Sequence, residues 1–153
     1  MPKRITHATK QSQSALLIEV AWEVCNQVGG IYTVIRSKAP VMMQNWSGHF
    51  CMIGPYVNKN ILAELEPLED AADVFGLAAA NLRKRGYDVI YAEWLITGKP
   101  RVVLLNPNVI EEKVLHVLKY LLWKNHSIQT PDKNELIDQV IGFAYLTKLF
   151  IDE

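Results

Sequence analysis

The residues most able to do chemistry lie close together near the start of the chain. Val28-Gly29-Gly30 follows a short apolar run and opens a helical pattern. A helix N-terminus placed there offers unpaired N–H groups and a positive dipole end to a phosphate. Gly29 and Gly30 carry no Cβ, so the backbone can approach a ligand closely or take a positive φ, and a plain tight turn uses the same residues. The pair is neither GxGxxG nor GxxxxGK[ST], so neither nucleotide-binding fingerprint is met. Glu19 and Glu23, four apart around Trp22, face the ligand edge of a sheet if the run from Leu16 to Val20 is a strand leading into the turn.

The other reactive residue types are bland in their spacing. Glu64, Glu66, Glu69 and Asp70 form an acidic cluster able to hold a hard cation, but a loop entering a helix is acidic for dipole reasons alone. His7, His49, His116 and His126 are far apart in sequence, so no metal site is expected. Cys25 and Cys51 stand alone among apolar neighbours without a CxxC pair, the usage of two buried, reduced thiols in a cytoplasmic compartment. Two sequons, Asn45-Trp-Ser47 and Asn125-His-Ser127, lack an export signal to give them meaning. Sixteen Lys plus Arg balance sixteen Asp plus Glu, which removes the simple electrostatic case for binding nucleic acid or an anionic membrane. No apolar stretch approaches the roughly 18 residues of a transmembrane helix, and a soluble protein is expected.

The elements that must position the glycine turn follow from periodicity. Residues 1–14 read as a frayed tail, and 15–153 as one lobe. Leu16-Leu-Ile-Glu-Val20 is a β-branched run and predicts a strand. From Gly30, apolar residues Ile31, Val34, Ile35, Ala39, Met42, Met43 and Trp46 fall at steps of three and four, predicting a helix that Pro40 kinks or splits. His49 to Tyr56 is a second strand stopped by Gly54-Pro55. A helix over 70–85, with Ala71, Val74, Phe75, Ala78 and Leu82 on its inner face, closes on Arg83-Lys-Arg85 and Gly86. Tyr87 to Ile96 and Arg101 to Leu105 flank Thr97-Gly-Lys-Pro100 and pair as a hairpin. Asn108 with Glu111 predicts a capping box for a helix to about Asn125, with Ile110, Val114, Val117, Leu118, Leu121 and Leu122 inward. A last helix runs from about Lys133, with Leu136, Ile137, Val140, Ile141, Ala144 and Phe150 inward. The alternation is that of an α/β fold with a mostly parallel sheet.

A resemblance sharpens this reading. Leu17-Ile-Glu-Val-Ala-Trp-Glu-Val-Cys-Asn-Gln-Val-Gly-Gly-Ile-Tyr-Thr-Val-Ile35, followed by Ser37-Lys-Ala-Pro40 and Ile53-Gly-Pro-Tyr56, resembles the start of glycogen synthases of the animal and fungal type. Tyr91-Ala-Glu-Trp-Leu-Ile-Thr-Gly-Lys-Pro-Arg-Val-Val-Leu-Leu105 is similar to that family's tryptophan-bearing hairpin, and Leu121 to Trp123 with Glu135 to Phe150 resembles its next helices. The resemblance implies a retaining glycosyltransferase of the two-lobed, two-Rossmann-domain (GT-B) type, which moves glucose from UDP-glucose to the non-reducing end of an α-1,4-glucan. This chain would be the incomplete N-terminal lobe.

The family role carried to Gly29 and Gly30 is contact with the sugar-nucleotide diphosphate. The position two before the pair usually holds Lys or Arg, and here it is Gln27. Glu19 and Glu23 become candidate acceptors for sugar hydroxyls, against a purely structural hydrogen-bonding role. Trp94 and Trp123 could stack on glucose rings, although their positions favour core packing. The family's catalytic residues fall beyond Glu153, so no catalytic residue, metal or cofactor is assigned. Implied partners are UDP-glucose and glycogen or maltooligosaccharide, with a homo-oligomer possible for the full-length protein. The alternatives are a non-catalytic module binding glucan or a partner, and a retaining transferase using another nucleotide sugar.

Overall fold

The computed structural model describes residues 15–68 and 72–153. The expected tail, and Glu69, Asp70 and Ala71 of the acidic loop and helix start, lie outside the described residues. Strands are β1 (Leu17–Val20), β2 (Phe50–Pro55), β3 (Leu65–Pro67), β4 (Val89–Trp94) and β5 (Arg101–Leu105). Helices are α1 (Gly30–Trp46), α2 (Val74–Lys84), α3 (Glu112–His126) and α4 (Glu135–Asp152). The strands form one sheet in the order β1-β2-β5-β4-β3. β1, β2 and β5 pair in parallel, while β4 runs antiparallel to both β5 and β3. Four strands therefore share one direction, and the mostly parallel α/β sheet is as expected.

Side chains alternate across the sheet because a strand repeats every two residues. Phe50, Met52, Ala92, Trp94, Val102 and Leu104 face Tyr32, Ile35 and Ala39 of α1. Cys51, Ile53, Tyr91, Val103 and Leu105 face α2 and the Phe143, Leu146 and Phe150 face of α4. Every residue of β2 is buried, the near-continuous apolar run of a strand covered on both faces. α3 packs against α4 and contains no buried residue.

Local chemistry fixes the boundaries. Asp73 caps α2 by accepting from the N–H groups of Phe75 and Gly76, and it also accepts from the Tyr91 hydroxyl at 2.8 Å. Gly86 closes the α2 turn at φ +91°, as the sequence predicts. The expected β4–β5 hairpin forms around Gly98, with Ala92 opposite Val102.

Five expectations are corrected. Pro40 neither splits α1 nor ends it, and the helix runs uninterrupted through it. Ile31 and Val34 point outward, and the buried stripe is Tyr32, Ile35 and Ala39, one step around the helix. Val74 opens α2 on its exposed side. The Asn108 capping box does not form: Asn106 caps the short 3-10 turn before α3 by accepting from the Asn108 N–H, and α3 starts at Glu112 with no side-chain cap. In α3, Val117 and Leu121 are exposed; in α4, Leu136, Val140 and Ala144 are exposed, with Gly142, Phe143, Leu146 and Thr147 taking their place. Both helices have apolar residues on more than one face, so periodicity offered two stripes and tertiary packing chose between them. β3 was also missed, being three residues long and ending at Pro67. Among the described residues no helix is long and apolar enough to cross a membrane.

Candidate functional site

The glycine turn sits where β1 and β2 end side by side, the edge at which parallel α/β sheets bind ligands. The chain leaves β1 through a tight loop. The Ala21 N–H extends the ladder to the Ile53 carbonyl at 3.1 Å, and the Val24 N–H turns back to the Ala21 carbonyl at 3.2 Å. Cys25 takes a left-handed φ of 55° within this loop. Val24 is fully buried against Gly54 of β2, where a Cβ would lie 2.6 Å from the Val24 carbonyl oxygen. Only glycine fits there, so Gly54 sets how closely the loop folds over the end of β2.

The next residues, Gln27 to Ile31, are exposed. Gly29 is extended, with φ −152° and ψ −151°, and Gly30 is not among the positive-φ residues, so neither glycine is needed for a left-handed turn. The reason at Gly29 is proximity. A Cβ there would stand 3.3 Å from the Glu23 carboxylate. A Cβ on Gly30 would meet nothing within 4 Å, so the space beside this residue is open.

Glu23 is brought to the turn and Glu19 is not. The Oε2 of Glu23 accepts from the Gly29 N–H at 2.7 Å and from the Tyr32 N–H at 3.0 Å, capping α1 from outside. Glu19 instead pairs with Lys38 Nζ at 2.5 Å, tying β1 to α1. Trp22 turns to the opposite sheet face and meets the Phe143 ring edge-on at 5.8 Å. Gln27 projects from the exposed turn, and no side-chain hydrogen bond to it is found among the described residues.

Sequence reasoning passed over Tyr32, whose spacing with Ile35 and Ala39 already marks a helical stripe. Its ring packs on Trp94 at 5.6 Å, and its hydroxyl accepts from Arg36 at 3.2 Å and reaches Glu64 at 3.5 Å. Glu64 also accepts from the Trp94 indole N–H at 3.2 Å. Burial, then the Glu64 carboxylate, raise the Tyr32 hydroxyl above its ordinary pKa of 10.0. Of the acidic residues that are described, Glu64 serves this network and Glu66 lies 3.6 Å from Lys99. Among the described residues no three His, Cys, Asp or Glu side chains converge on a metal position. Trp94 is fully buried as expected, whereas Trp123 is about half exposed on α3 beside Tyr120, with ring centroids 6.0 Å apart. A cleft of about 690 Å³ opens along these two rings and the loop after α3, and none of its lining residues belongs to the glycine turn.

Comparison with known proteins bears on what this turn serves. The sequence profile described as glycogen synthase matches residues 19–153. The chain is 35% identical over 144 residues to glycogen [starch] synthase of Neurospora crassa, covering 94% of this chain and 20% of that protein. It is 36% identical over 141 residues to the human liver glycogen [starch] synthase, 92% of this chain and 20% of the relative. With isoform 1 of Saccharomyces cerevisiae the identity is 32% over 149 residues, 92% of this chain and 21% of the relative. The chain therefore spans about a fifth of the length of these relatives. With the profile running from the end of β1 through the glycine turn, the hairpin and both final helices, this chain belongs to the glycogen synthase family.

Proposed function

We propose that this chain is the N-terminal portion of a glycogen (starch) synthase-like glycosyltransferase, which transfers glucose from UDP-glucose to the non-reducing end of an α-1,4-glucan. Within a two-lobed GT-B enzyme it forms most of the first lobe and contributes the glycine turn that meets the donor diphosphate. The observation that carries this is the placement of Gly29 and Gly30 at the carboxyl ends of two parallel strands, on an exposed helix start with open space beside Gly30. Backbone N–H groups at such a start hold phosphate oxygens without a basic surface, in keeping with the even balance of charges. Glucan and nucleotide sugar are the partners of the complete protein, and a homo-oligomer of that protein is compatible with this reading. The two free, buried cysteines support a reducing cytoplasmic setting.

Gln27 weakens this donor site relative to one with a cation. A hydrogen bond to a charged group contributes about 1.5–3 kcal/mol, roughly twice a neutral one. At an exposed position screening reduces the difference, and Gln27→Lys should tighten UDP by about three- to ten-fold in the longer protein carrying this region. Calorimetric titration of the two proteins with UDP checks it. An unchanged dissociation constant removes the diphosphate contact from this turn.

A further inference from the structure

The N-terminus of α1 is capped in an unusual way, and the reason for that arrangement is a role for Glu23. A helix leaves its first N–H groups unpaired, and an N-cap Ser, Thr, Asp or Asn ordinarily supplies an acceptor from its own side chain. Here the N-cap is Gly29, which has none. The acceptor comes from Glu23, six residues earlier, whose single oxygen Oε2 takes the N–H of Gly29 at 2.7 Å and of Tyr32 at 3.0 Å. These are the two outer groups of the set Gly29, Gly30, Ile31 and Tyr32. Among the described residues no acceptor is found for the inner two.

Supplying the acceptor from behind has a consequence that a local cap would not. A side chain on residue 29 would crowd the Glu23 carboxylate, which Gly29 leaves room for, and a Cβ on Gly30 would meet nothing within 4 Å. The backbone of Glu23 is itself held: its carbonyl accepts from the Asn26 N–H at 3.3 Å, and the adjacent Val24 is locked over Gly54. Tyr32, at the far end of the clamp, is anchored through its ring on Trp94 and its hydroxyl near Glu64.

We propose that Glu23 is a positioning residue that clamps the turn from Gly29 to Tyr32 and leaves the Gly30 and Ile31 N–H groups aimed outward for the donor diphosphate. This rests on the donor-site reading above, and it replaces the expectation that Glu23 accepts from sugar hydroxyls.

The test uses the longer protein carrying this region, with hydrogen exchange at the Gly29 and Tyr32 amides and calorimetric binding of UDP. Loss of a hydrogen bond to a charged group predicts that Glu23→Ala speeds exchange at both amides and weakens UDP by about ten-fold or more. Glu23→Gln keeps an acceptor oxygen at the same reach and should restore much of both. Asn134→Ala removes an ordinary N-cap from α4, where Asn134 accepts from the Ile137 N–H, and should lower the melting temperature while leaving UDP affinity unchanged. Wild-type UDP affinity in Glu23→Ala overturns the positioning role alone. Failure of the wild-type protein to bind UDP overturns the donor reading and this role with it, even if the two amides prove protected.

Discussion

Cys25 and Cys51 show how burial decides the behaviour of a residue that looks reactive on paper. Cys51 is completely enclosed within β2 and Cys25 nearly so in the loop after β1. Burial, then Glu64 for Cys25 and Asp73 for Cys51, push both thiols well above the ordinary value of 9.0. Neither should react with a thiol reagent at pH 8 until the chain unfolds. Above pH 9 the unfolded chain loses these protons while the native one retains them, so native stability must fall as pH rises, by up to roughly 1.4 kcal/mol per pH unit for each thiol. Urea titrations at pH 8 and pH 10 read the slope, and equal midpoints would contradict it. Two reduced, buried thiols were legible in the sequence because isolated Cys among apolar residues has few other uses. Glu23 was not. Its carboxylate reaches backbone N–H groups six and nine residues away, and no periodic pattern encodes that distance.

At the scale of elements, Pro40 and Gly98 are the clearest case of tertiary structure deciding what local rules leave open. Proline within a helix removes one hydrogen bond and reads as a break. Here α1 continues, and the β4–β5 turn packs onto that point so closely that a Cβ on Gly98 would lie 2.8 Å from Pro40 Cα and 3.0 Å from its nitrogen. Gly98 also has φ +93°, so a side chain there is strained twice. Gly86 has a similar φ of +91° with open space around it. Gly98→Ala should therefore cost about 2–4 kcal/mol and Gly86→Ala about 1 kcal/mol, read from denaturant midpoints. Equal losses would mean that φ alone matters and that the hairpin does not bear on α1. The hairpin and the glycine stop of α2 were legible because each is written in consecutive residues. The inner faces of α1 and α4 were misread because Ile31, Val34, Leu136 and Val140 satisfy the same period as the stripe that is buried, and Tyr32 and Thr147 satisfy it less visibly.

At the scale of the whole molecule the layers are unequal in support. β2 lies at the centre of a two-sided core, and β5 beside it is buried at four of its five positions. α3 is the outermost layer: it rests on α4, buries no residue fully, and exposes Val117, Leu121 and Trp123. Its connection to the following loop is made chiefly by Lys119, which donates to the carbonyls of Pro131 and Asp132 and pairs with Asp138 at 2.5 Å. An apolar groove of about 410 Å³ between α3 and α4, lined by Leu118, Leu121, Leu122, Val140 and Ile141, leaves the contact between the helices incomplete. Opening α3 therefore exposes little new apolar surface, whereas opening β2 dismantles both core clusters. Local opening follows such differences in buried contact. The amides of α3 should exchange through a sub-global opening at least about 2 kcal/mol below that of β2 and β5, with α2 and α4 between them. Native-state hydrogen exchange at low denaturant separates these classes. Equal protection in α3 and β2 would mean that the outer helix unfolds only with the sheet, and that the α3–α4 contact is stronger than its exposed side chains imply.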